Sequence, residues 1–281
     1  MKKQFVLFSI CFSFAVLGFA QNNATNQEQT GNKNSTDLTQ VGFQNNALIL
    51  QAGDENTLTL GQNGANNSTD ANMVGSVNTV MIDQVGGGNR SVTNLQASEN
   101  QATNFQEGDG NLINQDLLSD QSEVIISQQG SNNTAIQMQS GVGNNRGYIG
   151  VVGDLNTTTQ AQDGENNAAR TSIVGNQNQV FMTQNGTSNT VGAQIEGNSN
   201  LINVDQDTDN NFAGDDTDPQ LIQLGDNNNI TLDQTGTSNA ASIYQEGNGN
   251  SVLNTQTGVG NTHSTRQVGS SNTSTITQSN N

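Results

Sequence analysis

Tryptophan is absent, and the chain has one cysteine, one proline, one histidine and two tyrosines among 281 residues. Cys11 on its own cannot form a disulfide within the chain, so cross-links are not what stabilises it. A lone histidine, with no second His or Cys to help it, makes neither a metal-ligand set nor a partnered acid–base pair. His263 therefore reads as a variant of its surroundings; no catalytic residue, metal or cofactor is expected, and the chain is not expected to be an enzyme. Basic residues number 7 against 25 acidic ones, a formal charge of −18. With no Lys/Arg cluster to follow a phosphate backbone, nucleic acid is excluded as a partner. Asn, Gln, Thr, Ser and Gly dominate. By composition alone the chain belongs with disordered, low-complexity sequences. The order of the residues overrules that reading.

Residues 1–20 stand apart. Lys2 and Lys3 precede an apolar run of sixteen residues, Phe5 to Ala20, with Gly18 and Ala20 small at its end. This is the pattern of a secretory signal peptide cut after Ala20; a membrane-spanning helix needs roughly 20 apolar residues. Export is expected, with no membrane span in the mature chain. Without Lys2 and Lys3, 5 of the 7 basic residues face 25 acidic ones, a charge of −20.

After a short polar arm, residues 21–28, an eleven-residue step begins at Gln29. It is plainest from Gln223 to Thr277: QLGDNNNITLD, QTGTSNAASIY, QEGNGNSVLNT, QTGVGNTHSTR, QVGSSNTSTIT. Each unit opens on Gln, with Gly third and Asn sixth, and a fixed short period means an array of stacked units. Two irregularities interrupt it, one extra residue near Arg146-Gly147-Tyr148 and a six-residue excess around Asp215, Asp216, Asp218 and Pro219. Of 22 complete units, Asn fails only at Ser122, and Gly only at Ala97, Ser119 and Thr208.

Gly and Asn tolerate positive φ, so G-x-x-N reads as a tight turn. The five residues that follow are too few for a helix and rich in Thr, Val, Ile and Ser, which favours a short strand. Alternation puts Asn228, Ile230, Leu232 and Gln234 on one face and Asn229, Thr231 and Asp233 on the other. The inner face thus carries apolar residues and invariant amides together. First-place Gln gives way to Met73, Leu95 and Leu117, and again to Val151, Ile173 and Ile195, each 22 residues apart. Like stacks on like, so two units make one coil. The expected fold is an all-β, amyloid-like β-solenoid of about eleven coils, 22 residues each, with two facing parallel in-register sheets over residues 29–281.

A lone buried amide costs about 1–3 kcal/mol when unpaired. Stacked on an identical amide one rung away, it donates to one neighbour and accepts from the other. Such ladders strengthen cross-β structure and pin its register. The candidate ladder residues are Gln40, Asn45, Gln51, Asn56, Gln62, Asn67, Gln184, Asn189, Gln223, Asn228, Gln234, Asn239, Gln245, Asn250, Gln256, Asn261, Gln267 and Asn272.

The pattern Q-x-G-x-x-N-x-φ-x-φ-x-Q, with φ apolar or small, resembles the curlin repeat of curli subunits, the secreted functional amyloids of bacterial biofilms. The resemblance runs from Gln29 to the end, and the family's second turn glycine appears at Gly88, Gly110, Gly143, Gly249 and Gly260. It implies an extracellular, cell-surface fibre subunit that polymerises with itself, is exported through an outer-membrane channel and is nucleated by a companion subunit. The family's ladder positions fall on Gln40, Asn45, Gln51 and Asn56 and on the Gln/Asn series from Gln234 to Gln267.

The residues themselves point the same way. Pro219 lies in the insertion and the last unit stops at Gln278-Ser279-Asn280-Asn281, so neither end coil is expected to carry the devices that blunt strand edges. The alternative is a monomeric solenoid adhesin or cation-binding surface protein. Acidic residues do gather at turns, as in Asp54-Glu55, Glu107-Asp109, Asp163-Glu165 and Asp207-Asp209. The glycine–aspartate nonapeptide of calcium-bound rolls is missing, however, and these turns read as solvated charges that keep the monomer soluble. An ice-binding face would need Thr-x-Thr in successive coils, whereas Thr57/Thr59, Thr157/Thr159 and Thr273/Thr275 are scattered.

Overall fold

A computed structural model describes residues 22–213 and 221–280. The leader with Cys11, and the insertion residues Asp215, Asp216, Asp218 and Pro219, lie outside the described residues. Within them are 24 strands and no helix. The strands form two parallel sheets of 12 strands, and the chain alternates between the sheets at every turn. Thr57–Ala65 shows why each strand has two characters: Leu58, Leu60 and Gln62 are buried, while Thr57 and Thr59 face solvent. Period two therefore puts the amide inside with the aliphatic residues.

Register follows the 22-residue step, with Gln40 beside Gln62, Gln62 beside Gln84 and Gln234 beside Gln256. One sheet runs from Ala24–Thr30 to Thr273–Ser279 without a gap. In the other, Phe212–Ala213 and Leu221–Leu224 are two halves of one rung. Both pair with Thr190–Glu196 on one side and Ala240–Glu246 on the other. The rung that stops at Ala213 thus resumes at Leu221.

Three sequence expectations need correction. Residues 24–28, read as part of a polar arm, belong to the strand Ala24–Thr30, which pairs with Asn46–Ala52 and sets Gln29 beside Gln51. Asn23 holds the sixth place just before it and accepts the N–H of Asn45 at 3.0 Å, but that unit has no first-place Gln or third-place Gly, so the step did not reveal it; the free backbone edge of the next rung recruits it. The extra residue expected near Arg146-Gly147-Tyr148 lies earlier, where the register shifts between Ser140 and Gly143. Arg146 onward is regular, and Val142 projects into solvent, 74% exposed.

The third correction concerns the turn. Third-place glycines do take positive φ, 124° at Gly53 and 137° at Gly175. The sixth-place asparagines do not; the second left-handed residue is the fifth, such as Lys33, Glu55, Val77 and Gln177, at 56–61°. The sporadic glycines Gly88, Gly110, Gly249 and Gly260 occupy this place, at 67–70°. A left-handed conformation costs a side-chain-bearing residue roughly 1–2 kcal/mol, yet the place is occupied by many residue types. Asparagine is retained next door for another reason.

Candidate functional site

The inward amides stand in columns along the solenoid axis. In the sheet containing Ser35–Phe43, Gln40 Nε2 donates to Gln62 Oε1 at 2.7 Å, Gln62 to Gln84 at 2.9 Å, Gln84 to Gln106 at 2.8 Å and Gln106 to Gln128 at 3.3 Å. Val151, Ile173 and Ile195 interrupt the column, which resumes from Gln223 to Gln245 at 3.0 Å and on to Gln267 at 2.9 Å. In the facing sheet Gln29 donates to Gln51. Past Met73, Leu95 and Leu117 that column runs from Gln139 through Gln162, Gln184, Gln206, Gln234 and Gln256 to Gln278, at 2.7–2.9 Å per step.

The same amide nitrogen also reaches across the interior. Gln51 donates to Ser35 O at 3.0 Å, Gln62 to Asn46 O at 3.1 Å and Gln245 to Asn229 O at 3.0 Å. Each of these glutamines therefore ties its rung to the next and its sheet to the one opposite.

Asparagine works differently from the expected amide-on-amide stack: most of its bonds are to backbone. Asn45, Asn56 and Asn67 donate to the third-place carbonyls of Gly64, Gly75 and Gly86 in the next coil, at 2.9–3.1 Å. Their Oδ1 atoms accept the backbone N–H of Asn67, Asn78 and Asn89 at 3.0–3.1 Å. Asn189 reaches Thr208 O at 2.6 Å, and Asn228, Asn239 and Asn250 reach Gly247, Gly258 and Gly269 at 2.8–3.1 Å. Asn261 and Asn272 donate from Nδ2 to the Oδ1 of Asn239 and Asn250, each at 2.9 Å, and to the carbonyls of Thr257 and Val268 of their own coil.

The glycine and asparagine marks are thus one device. A Cβ at Gly53 would lie 1.8 Å from Gly75 O, the atom that receives Asn56. Turns stack closely enough for the asparagine to reach only because the third place has no side chain.

The fourth place was missed in the sequence reading. Asp54 Oδ1 accepts the N–H of Asn32 at 2.7 Å, and Asp120, Asp154 and Asp226 do the same for Ser98, Ser131 and Asn198, each at 2.7 Å. These carboxylates cap the neighbouring turn as well as carrying charge. The signal was present: Asp, Asn or Ser recurs at the fourth place in step with the coil. His263 is half-buried in Thr262–Val268 and contacts Thr265 Oγ1 at 2.6 Å. Among the described residues no three His, Cys, Asp or Glu side chains gather as a metal site.

A family profile described as the curlin associated repeat matches residues 31–64, 53–86 and 225–258. The chain is a curlin-repeat protein. The matched curlin repeats lie toward the two ends of the array, in stretches where every unit opens on glutamine or nearly so. No curated protein matches the chain.

Proposed function

We propose that this curlin-repeat protein is a secreted structural subunit that polymerises into extracellular, curli-like amyloid fibres. The fibres would serve biofilm matrix, surface adhesion and cell aggregation. A nucleating subunit and an outer-membrane channel are the further partners that the family suggests, and the leader supports export. The observation that carries the reading is that successive rungs pair parallel, with like turns stacked on like, from one end of the described array to the other. Among the described residues, Ser35–Phe43 and Thr262–Val268 each pair with a neighbour on one side only. Their other edges offer backbone and amide groups along the axis, which is how strands recruit further strands.

The test is a thioflavin-T time course on the mature chain, with electron microscopy and fibre diffraction at the plateau. Lagged growth to unbranched fibres with reflections near ~4.8 and ~10 Å is expected. A chain that stays soluble and monomeric while rich in strand would overturn the fibre and favour the adhesin. The Gln245→Ala, Asn250→Ala double variant should polymerise poorly; normal growth would show that the amide columns do not hold the fibre together. The middle of the array, with its substituted units, should assemble less readily than the ends. Deleting residues 223–281 should therefore lengthen the lag.

A further inference from the structure

The interior is not uniform along its axis. From Gln179 to Asp207 the inward positions between the amide columns are Val180, Met182, Val191, Ala193, Ile202 and Val204, all buried. From Ala47 to Ile82 they are aliphatic apart from Thr69. Between these blocks polar residues alternate at the same positions with Ala102, Ile113, Val124, Ile126, Ala135 and Ile149. Asn104, Gln115, Gln137, Thr158 and Gln160 are all buried to 1% exposure or less. Gln115, Gln137 and Gln160 are register partners on three successive rungs.

These amides do not form a ladder. Gln115 has no partner for either polar atom, and Asn104 Oδ1, Gln137 Oε1, Thr158 Oγ1 and Gln160 Oε1 have none. Gln137 spends its nitrogen on Gln162, a member of the neighbouring column, at 3.1 Å. Gln160 directs its own to Tyr148 O and Thr171 Oγ1. Acceptors are left in excess inside a closed interior. The small donor that can reach several of them is water, which settles where two or more buried polar groups lack partners.

We propose that the stretch from Asn104 to Gln160 is a hydrated seam, at which the solenoid opens more readily than in the apolar blocks on either side. A repeat array stabilised evenly by nearest neighbours frays from its ends and is most protected in the middle. A seam inverts that profile in the middle.

Backbone hydrogen exchange on the full chain distinguishes the two. Two maxima of protection are expected, over 57–87 and 179–207, with a minimum over 104–149 between them. Replacing Gln115 by Leu removes two orphan groups and should slow exchange in 104–149 by roughly tenfold. Gln106→Leu, on the strand before it in the facing sheet, removes a glutamine bonded to Gln84, Gln128 and Arg90 O, and should speed it by about as much. Gln115→Met, which keeps the side chain's length, should act in the direction of Gln115→Leu. A single protection maximum in the middle, or faster exchange in both Gln115 variants, would overturn the seam, and so would misfolding of both.

Discussion

The glutamine and asparagine columns are both built of stacked amides, yet they tolerate substitution very differently. Glutamine is lost in two runs, Met73–Leu95–Leu117 in one sheet and Val151–Ile173–Ile195 in the other. The runs are staggered, so that Gln84, Gln106 and Gln128 continue the second sheet's column beside the first gap. Gln162, Gln184 and Gln206 do the same beside the second. Asparagine gives way only at Ser122.

The partners explain the difference. A glutamine bonds chiefly to glutamines above and below, so exchanging a whole run for aliphatic residues removes donors and acceptors together. Only the edges of a run suffer. The first glutamine after each gap, Gln139 and Gln223, is left with a buried Oε1 that has no donor. An asparagine serves backbone groups of the next turn, which remain whatever the side chain. Where Asn100's own unit carries Ala97 at the third place and the unit stacked on it in the next coil carries Ser119, Asn100 Nδ2 has no partner. Self-paired columns can be exchanged in blocks, whereas backbone-paired columns cannot.

The largest expected effect is on the feature that asparagine depends upon. Gly175 has φ 137°, and a Cβ there would lie 1.8 Å from Gly197 O. Gly175→Ala should destabilise by about 3 kcal/mol or more, combining left-handed strain with overpacking, as read by chemical denaturation. Next comes Asn178→Ala, which strands Gly197 O and the N–H of Asn200. Roughly 2–3 kcal/mol is expected for two orphaned backbone groups.

Glutamine provides the test that could break the comparison. Gln184→Leu leaves Gln162 without its acceptor and Gln206 without its donor, at about 1–2 kcal/mol. Replacing Gln184, Gln206 and Gln234 together leaves the same two kinds of orphan in the column, now on Gln162 and Gln256. The triple variant should therefore cost about as much as the single one. A cost three times as large would mean that each glutamine acts independently, and the block argument would fail.

Much of this was legible from spacing. The step of eleven and the 22-residue recurrence of Met73, Leu95 and Leu117 were enough to reach two facing sheets and the coil size. They also indicated which glutamines stack. Three features were not legible, for reasons that lie in the backbone. Ala24–Thr30 follows Asn23 and ends on Gln29-Thr30 but lacks the first-place Gln and third-place Gly of a full unit, and it is a strand because the next rung's edge is free. The left-handed fifth place has no residue preference strong enough to read, since Lys33, Glu55 and Val77 all occupy it. The asparagine's partner is a carbonyl 19 residues on, as in Asn56 to Gly75, and a residue pattern does not say whether an amide bonds a side chain or a main chain.

The smallest expected effect comes from applying the same in-register rule on the outer face, where stacking like on like sets charge against charge. Asp205 lies beside Asp233 on the next rung, with Asp207 two residues along its own strand. Partial burial and then the carboxylates of Asp207 and Asp233 hold its pKa above the usual aspartate value. Stacked amides complement one another, whereas stacked carboxylates cannot both ionise without mutual repulsion. Since the folded chain binds this proton more tightly than the unfolded chain, stability rises as pH falls through the raised pKa and is lost as pH rises through it. Asp205→Asn should remove that dependence. The variant should melt slightly higher than wild type at neutral pH, with the gap closing as pH approaches the ordinary aspartate range, because the exposed carboxylate is well screened. A gap that stays constant across that window would show that the stacked aspartates do not interact, and that the register rule acts only on groups kept from water.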